Sequence, residues 1–184
     1  MRHGRTAANA SGLLQGRLDP PLDEIGRKQA TAIADLIGPV DTVISSSLVR
    51  AQETAECFGR PVKTDDRWIE LAYGEYEGVP ATEVPNEVWH AWRTDATFAS
   101  KGGECFESLN TRVRAACEEL TEQIGREDVV VVSHVSPIKA AVAWALNTSL
   151  EIMFHCHLSH ASVCRVGIAK FGPILHTFNE QATP

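Results

Sequence analysis

"DVVVVSHVSPIKAAVAWALN", residues 128–147, decides the fold. Its unbroken β-branched run has no polar face, as expected of a strand covered on both sides within a parallel sheet. The run ends in Ser133-His134. Residues 137–147 follow as a helix, with Pro137 in the first turn, where a missing N–H costs no helical hydrogen bond. Passing from a strand through a histidine into a helix sets His134 at the carboxyl edge of a sheet, where open α/β sheets bind ligands.

The same alternation extends outward from that segment. Residues 25–38 place Ile25, Gln29/Ala30, Ile33 and Leu36/Ile37 on one helical face and close at Gly38-Pro39. Residues 41–47 read as a short strand, 48–59 as a helix ended by Gly59, and 62–68 as a strand. Residues 107–125 carry the clearest helical period, at Leu109, Val113, Ala116/Cys117, Leu120 and Ile124. Residues 161–179 read as two strands joined around Gly172-Pro173. Alternating strands and helices predict one three-layer α/β/α domain over 1–184, with a mainly parallel, mixed central sheet. The stretch 75–104, rich in Gly, Pro and aromatic residues, breaks the pattern and is expected to form an excursion or lid over one end of the sheet.

Composition bounds the chemistry. The formal charge of −7 over 184 residues argues against a nucleic-acid or anionic-membrane binder. Any anion must therefore be held by a local positive pocket. No run of 18 apolar residues suggests a transmembrane helix, and no apolar signal region opens the chain. Cys57, Cys105, Cys117, Cys156 and Cys164 are scattered, odd in number and without a CxxC pair. They are expected to be reduced thiols in a cytoplasmic protein.

Reactive residues fall just after the predicted strands: Arg2-His3-Gly4, Ser46-Ser47 leading to Arg50, Glu70, and Ser133-His134. Two arginines and a histidine suit a phosphoryl dianion, because guanidinium forks match phosphate oxygens. The N-terminus of the helix after His134 adds a favourable dipole. A neutral histidine can attack phosphorus when its other ring nitrogen is held as a donor by a backbone carbonyl. Gly4 is expected to let the backbone approach the phosphate without a Cβ in the way. A carboxylate opposite can protonate the leaving alkoxide and then deprotonate water. The cationic side chains neutralise charge, so the set calls for no metal or other cofactor.

Six blocks in order, "RHGRTAAN" (2–9), "LQGRLDPPLDEIGRKQA" (14–30), "SSSLVRAQETAE" (45–56), "WIELAYGEYEG" (68–78), "GGECFESLNTRV" (102–113) and "VVVSHVSPIKAAV" (130–142), resemble the histidine phosphatase superfamily, also called the phosphoglycerate mutase-like family. The resemblance covers nearly the whole chain. It implies a phosphorylated nucleophile at His3, a proton donor at Glu70, and a phosphate pocket of Arg2, Arg50 and His134. Gly4, Asn9, Gln15 and Val135 join the implied phosphate contacts. The family generally works without a cofactor. The implied partners are a small phosphorylated metabolite and the phosphate released, with room for a homodimer and with no nucleic acid or membrane.

Two features depart from the family pattern. Arg5 stands where Glu or Gln is common, which bears on substrate contacts. The family's nucleophile follows a buried first strand, whereas only Met1-Arg2 precede His3. A strand needs about five residues. The chain is expected either to begin upstream of Met1, the favoured reading, or to lack that strand and hold the site loosely.

Within that family the short interval between Ala51 and Ile69 and the "SHVSPIK" block resemble the phosphatases more than the mutases, and the resemblance implies a phosphatase with a small substrate of sugar phosphate or phosphoglycerate type. A phosphoglycerate mutase and an inactive phospho-ligand binder are the alternatives. His155, His157 and His160 in "FHCHLSH" lack the fixed helical spacing of a zinc motif, so no metal is expected there; one of them could line the substrate entrance. Ser133 has no G-x-S-x-G elbow around it. Trp89 and Trp92, at i and i+3, read as core or as a wall of the substrate pocket. Glu104 reads as a helix-start acid or a substrate-side group. Lys139 and Arg17 read as solvated charges or as contacts to an anionic substrate.

Overall fold

The computed structural model describes residues 1–182. In chain order the first half holds α1 (Ala7–Ala10), α2 (Glu24–Ile37), β1 (Thr42–Ser45), α3 (Val49–Glu56) and β2 (Val62–Thr64). The second half holds α4 (Asn86–Thr94), α5 (Phe106–Ile124), β3 (Val129–Val132), α6 (Val135–Ala145), β4 (Val163–Ala169) and β5 (Gly172–Glu180). The valine run is the edge on which the sheet is assembled. β1 lies between β2 and β3, all parallel, with Val43 opposite Val130 and Ser45 opposite Val132.

Strand alternation divides the core into two. Val43, Val130 and Val132 pack with Ile33 of α2 and with Ala51 and Ala55 of α3. Ile44, Val129 and Val131 turn the other way, toward Leu109 and Val113 of α5 and Ala140 of α6. These are the three layers expected for a parallel sheet that must be covered on both faces.

The elements differ from the sequence reading mainly at their ends. The strand expected over 62–68 stops at Thr64, because the Asp65 carboxylate accepts the Arg67 N–H at 2.9 Å and caps a 3₁₀ turn over Asp66–Trp68. The helix expected from Pro137 starts at Val135, which puts the proline at the third helical position, still among the free N–H groups. The excursion over 75–104 contains α4. Its Trp92, 2% exposed, meets Tyr73, Tyr76 and Trp89 edge to face and belongs to the core. Trp89 is half-buried and donates its indole N–H to the Ala81 carbonyl at 3.2 Å. The five cysteines are unpaired. No helix among the described residues is long and apolar enough to cross a membrane.

The expected single mixed sheet resolves into a parallel three-stranded sheet and an antiparallel β4–β5 hairpin. Residues 1–3 join them. The Ser133 N–H donates to the Met1 carbonyl at 2.9 Å and the His3 N–H to the Ser133 carbonyl at 3.0 Å. On the other side the Arg2 N–H donates to the Ser162 carbonyl at 2.9 Å, and the Ala161 N–H to the His3 carbonyl at 3.0 Å. A cavity of about 430 Å³ is lined by Met1, by Val129 and Val131 of β3 and by Val163 and Arg165 of β4. His3, at the end of this segment, is only 3% exposed.

Gly4 has a different physical reason from the one its position beside the histidine suggests. A Cβ there would be driven into the backbone of Gly26, and a Cβ on Gly26 into the backbone of Arg5. The two glycines let α2 lie directly on the loop after His3, and the Asp23 cap (Oδ1 to the Gly26 N–H, 2.7 Å) fixes the helix start there. Gly26→Ala should therefore destabilise the protein by about 1–3 kcal/mol from overpacking, despite a gain of about 1 kcal/mol in helix propensity. Urea unfolding measures this; an unchanged or raised midpoint would show that the close approach is not required.

Candidate active site

Parallel register brings the site together. Because Ser45 pairs with Val132 and Arg2 bridges to Ser133, the chain leaves three neighbouring positions at Ser46, His134 and His3. The rings of His3 and His134 stand 5.0 Å apart, and both residues are buried. His3 donates from Nδ1 to the carbonyl of Gly4 at 2.7 Å. A carbonyl can only accept, so this bond fixes the tautomer and leaves the lone pair on Nε2. Arg50 aims its Nε–H at that atom, 3.3 Å away.

Arg50 is 1% exposed. Its Nη1 donates to the Leu18 carbonyl at 2.6 Å and its Nη2 to the Gly16 carbonyl at 2.8 Å. The loop over 16–18 thus wraps the guanidinium and leaves the Nε edge facing His3. One turn on, the Thr54 hydroxyl donates to the Arg50 carbonyl at 2.7 Å and accepts the Gly4 N–H at 3.1 Å, tying α3 to the histidine loop. Arg2 donates from Nη1 to the Leu158 carbonyl at 2.6 Å, while its buried Nε has no protein partner. Burial lowers the Arg2 pKa to about 10 and also lowers that of Arg50; the negative charge of Glu70 opposes both shifts.

His134 pairs through Nε2 with the Ser46 hydroxyl at 2.6 Å, and its buried Nδ1 has no partner. With the hydroxyl donating to Nε2, Nδ1 carries the proton as a donor. Unpaired buried polar groups are costly. Arg2 Nε and His134 Nδ1, both in this one site, are suited to an anion that accepts from them.

Glu70, 7% exposed, lies across the start of α6. Its Oε1 accepts the N–H of Leu71 at 2.8 Å and of Ser136 at 3.2 Å, and its Oε2 accepts the N–H of Val135 at 3.1 Å. This corrects two expectations. The N-terminus of α6 is occupied by a carboxylate of the protein, and the Val135 amide, expected on the phosphate, is engaged by Glu70.

Asn9 closes a capping box on α1. Its Oδ1 lies 3.1 Å from both the N–H and the hydroxyl of Thr6, which leaves its amide N–H groups as donors. Gln15 is buried, with Oε1 3.0 Å from the same hydroxyl. Lys139 turns away to the Met153 carbonyl at 2.7 Å. His155 ends the 3₁₀ turn over Leu150–Phe154. His160 directly precedes Ala161, the residue bonded to the His3 carbonyl. No group of three His, Cys, Asp or Glu among the described residues is placed to hold a metal. Sequence reading left Thr54, the hydroxyl of Ser46 and the carbonyls of Gly16 and Leu18 without a role. Thr54 carries a signal, standing four residues after Arg50; the carbonyls carry none.

His3 and His134 are held neutral well below the usual imidazole range. Burial is the largest cause for each. The charges of Arg50 and Arg2 follow for His3, and those of His3, Arg50 and Arg2 for His134. His160 is lowered to about 4 by burial, then by Arg2 and Arg5. Unfolded histidine takes up its proton near pH 6.5 and these folded histidines do not. The unfolded chain therefore binds more protons as pH falls below about 6.5, and stability must fall with it, by roughly 1.4 kcal/mol per pH unit for each such histidine. Urea unfolding at pH 7 and 5.5 should show a lower midpoint at pH 5.5, with a flatter dependence in His134→Asn. An equal midpoint at the two pH values would contradict the neutral burial of these rings.

The chain that carries this site is similar to known proteins along most of its length. The sequence pattern of the histidine phosphatase superfamily (branch 1) matches residues 1–181. A bifunctional protein of Mycobacterium tuberculosis is 33% identical over 181 residues, covering 93% of this chain and 49% of its own; the chain spans about half the length of that relative. The crystal structure of a mycobacterial glucosyl-3-phosphoglycerate phosphatase in complex with VO3 superposes with a TM-score of 0.87 at 30% identity, over 98% of this chain and 96% of that one. The phosphoserine phosphatase of Entamoeba histolytica in complex with 3-phosphoglyceric acid superposes with a TM-score of 0.90 at 25% identity, over 98% and 94% of the two chains. With the pattern spanning all but the last three positions, the chain belongs to the histidine phosphatase superfamily, branch 1.

Proposed function

We propose that this chain is a phosphatase that hydrolyses phosphomonoesters of small metabolites through a phosphohistidine at His3. The observation that carries the reading is the His3 imidazole, locked by the Gly4 carbonyl with its Nε2 lone pair facing a buried guanidinium. That is the tautomer and the electrostatic setting a nitrogen nucleophile for a phosphoryl dianion requires.

In the first step Nε2 of His3 attacks phosphorus, a P–N bond forms and the ester P–O bond breaks. The departing oxygen takes the proton of the Glu70 carboxyl and leaves as an alcohol. In the second step the Glu70 carboxylate removes a proton from water, the water oxygen bonds to phosphorus, and the P–N bond breaks to release phosphate. Arg2, Arg50 and His134 Nδ1 hold the equatorial oxygens throughout, with the Asn9 amide and buried Gln15 at the rim. The reading needs no metal, because these groups supply the charge neutralisation. Substrates of the kind named for its relatives, phosphorylated glycerate or serine derivatives, fit such a pocket. The unpaired thiols suit a reducing, cytoplasmic setting.

Hydrolysis of an aryl phosphate and of glucosyl-3-phosphoglycerate by wild type and His3→Ala tests the reading. Loss of at least about a thousandfold in kcat/KM is expected for His3→Ala. Glu70→Gln should lose about 10²–10⁴-fold on the alkyl ester and accumulate an acid-labile, base-stable phosphoryl label on His3. Equal rates in wild type and His3→Ala would overturn the nucleophile. Interconversion of phosphoglycerate isomers without free phosphate would replace hydrolysis by mutase chemistry, and tight binding without turnover would make the chain a binder.

A further inference from the structure

Behind Glu70 lies a second charged cluster that the reaction above does not use. Glu104 receives Arg112 side-on, Nε to Oε1 at 2.8 Å and Nη2 to Oε2 at 2.9 Å, and it receives Arg17 Nη2 on Oε2 at 3.2 Å. Both guanidiniums also reach the backbone carbonyl of Glu70, Arg17 through Nε at 2.9 Å and Arg112 through Nη2 at 3.4 Å. Arg112 completes its set on the Arg67 carbonyl at 2.7 Å. The main chain of Glu104 grips the same segment, its N–H donating to the Ala72 carbonyl at 2.9 Å. Two cations from separate parts of the chain thus meet on the main-chain oxygen of one residue, under the control of one acid.

The arrangement poses an electrostatic problem that Glu104 answers. Three backbone N–H groups fix the place of the Glu70 carboxylate, and an arginine paired with it as well would pull it out of that place. The Glu70 carboxylate nevertheless has two guanidiniums within reach of its own carbonyl. Glu104 takes Nε and Nη2 of Arg112 and Nη2 of Arg17 on its carboxylate, and the Glu70 carbonyl receives Arg17 Nε and Arg112 Nη2. Its side chain is 13% exposed and that of Arg112 17%, so water screens this pair little. Burial acts to raise the Glu104 pKa, but the hydrogen bond and charge of Arg112 and the charge of Arg17 outweigh it and hold the group ionised.

We propose that Glu104 is a positioning residue for the acid–base step: it holds Arg17 and Arg112 on the backbone of Glu70 and off its carboxylate. The inference rests on the proposed hydrolysis, in which Glu70 protonates the leaving oxygen. Without Glu104 the guanidiniums are released from the Glu70 carbonyl, and the proton donor is displaced. An error of about 1 Å in such a group costs about 10²-fold.

A merely structural acid would weaken turnover of all substrates alike, whereas an acid acting through Glu70 makes the loss depend on the leaving group. The experiment measures kcat/KM, which reports the first chemical step, for an alkyl phosphate and for 2,4-dinitrophenyl phosphate, whose leaving group needs no proton. Glu104→Gln should lose about 10–100-fold on the alkyl ester and less than about threefold on the dinitrophenyl ester. In a Glu70→Gln background the same substitution should change neither rate further. An equal loss on both esters, or a loss that multiplies with that of Glu70→Gln, would overturn the proposal. Should Glu104→Gln fail to fold, Glu104→Asp, which keeps the charge but shortens the reach to Arg17 and Arg112, tests the same link and should show the same leaving-group dependence, more weakly. Wild type inactive on both esters would overturn the hydrolytic reading instead, so the two failures are distinguishable.

Discussion

Burying the Arg50 guanidinium is the constraint from which most of the site follows. A guanidinium out of water needs acceptors for its N–H groups, and an unpaired one costs several kcal/mol. The loop over 16–18 supplies two carbonyls and His3 supplies its lone pair. Meeting that demand shapes the loop, orients the imidazole and aims what remains of the positive potential at one spot. Arg2 repeats the pattern from the opposite side, with Leu158 as its carbonyl acceptor and Nε left over. Both cations cost stability to bury, and each is compensated by the nearby charge of Glu70. A dianion settling between them would relieve the rest of that cost, with no group specific to phosphorus required.

Residues 1–3 hold His3 through hydrogen bonds to both neighbouring sheets. They are bonded to Ser133 on one side and to Ala161 and Ser162 on the other. This lateral pairing fixes His3. The 47° φ of Ala161, uncommon for a residue with a Cβ, is one sign of how closely the β4 side is drawn toward the histidine.

What could be read from the sequence follows a physical division. His3, Arg50, Glu70 and His134 were legible because their chemistry resides in side chains, and His134 also because it falls at the end of an apolar run, which fixes its place on the sheet rim. The two core faces were legible from period alone, in the valines of 128–133 and the Leu109–Val113–Ala116 row. The contacts made by backbone were not. Nothing in "QGRLD" marks Gly16 and Leu18 as acceptors for an arginine more than thirty positions away. Gly4 looked like space for a ligand because its partner, Gly26, is visible only once α2 is in place. Val135 looked like an anion donor because a helix N-terminus is one; that the anion is a carboxylate arriving from residue 70 is a tertiary fact. Glu104 stood between two readings for the same reason, since its meaning depends on where Arg17 and Arg112 point.

The assignment of the α6 N-terminus to Glu70 also closes the charge balance of the proposed reaction. Two guanidiniums bring a charge of plus two, and both histidines are neutral. A phosphoryl dianion beside a protonated Glu70 then makes the site neutral overall. After transfer the phosphorylated imidazole carries a net charge of minus one and Glu70 another, while the alcohol leaves uncharged, so the sum is unchanged. A site shielded from water favours such a sequence, because each charge that forms replaces one that disappears a few ångströms away, with no solvent to reorganise. A protonated His134 would break the balance by adding a cation, and a Glu70 drawn off the α6 N-terminus by Arg17 or Arg112 would break it by moving the acid away from the leaving oxygen. The depressed histidines and the acid at position 104 answer the same requirement from opposite sides of the cradle.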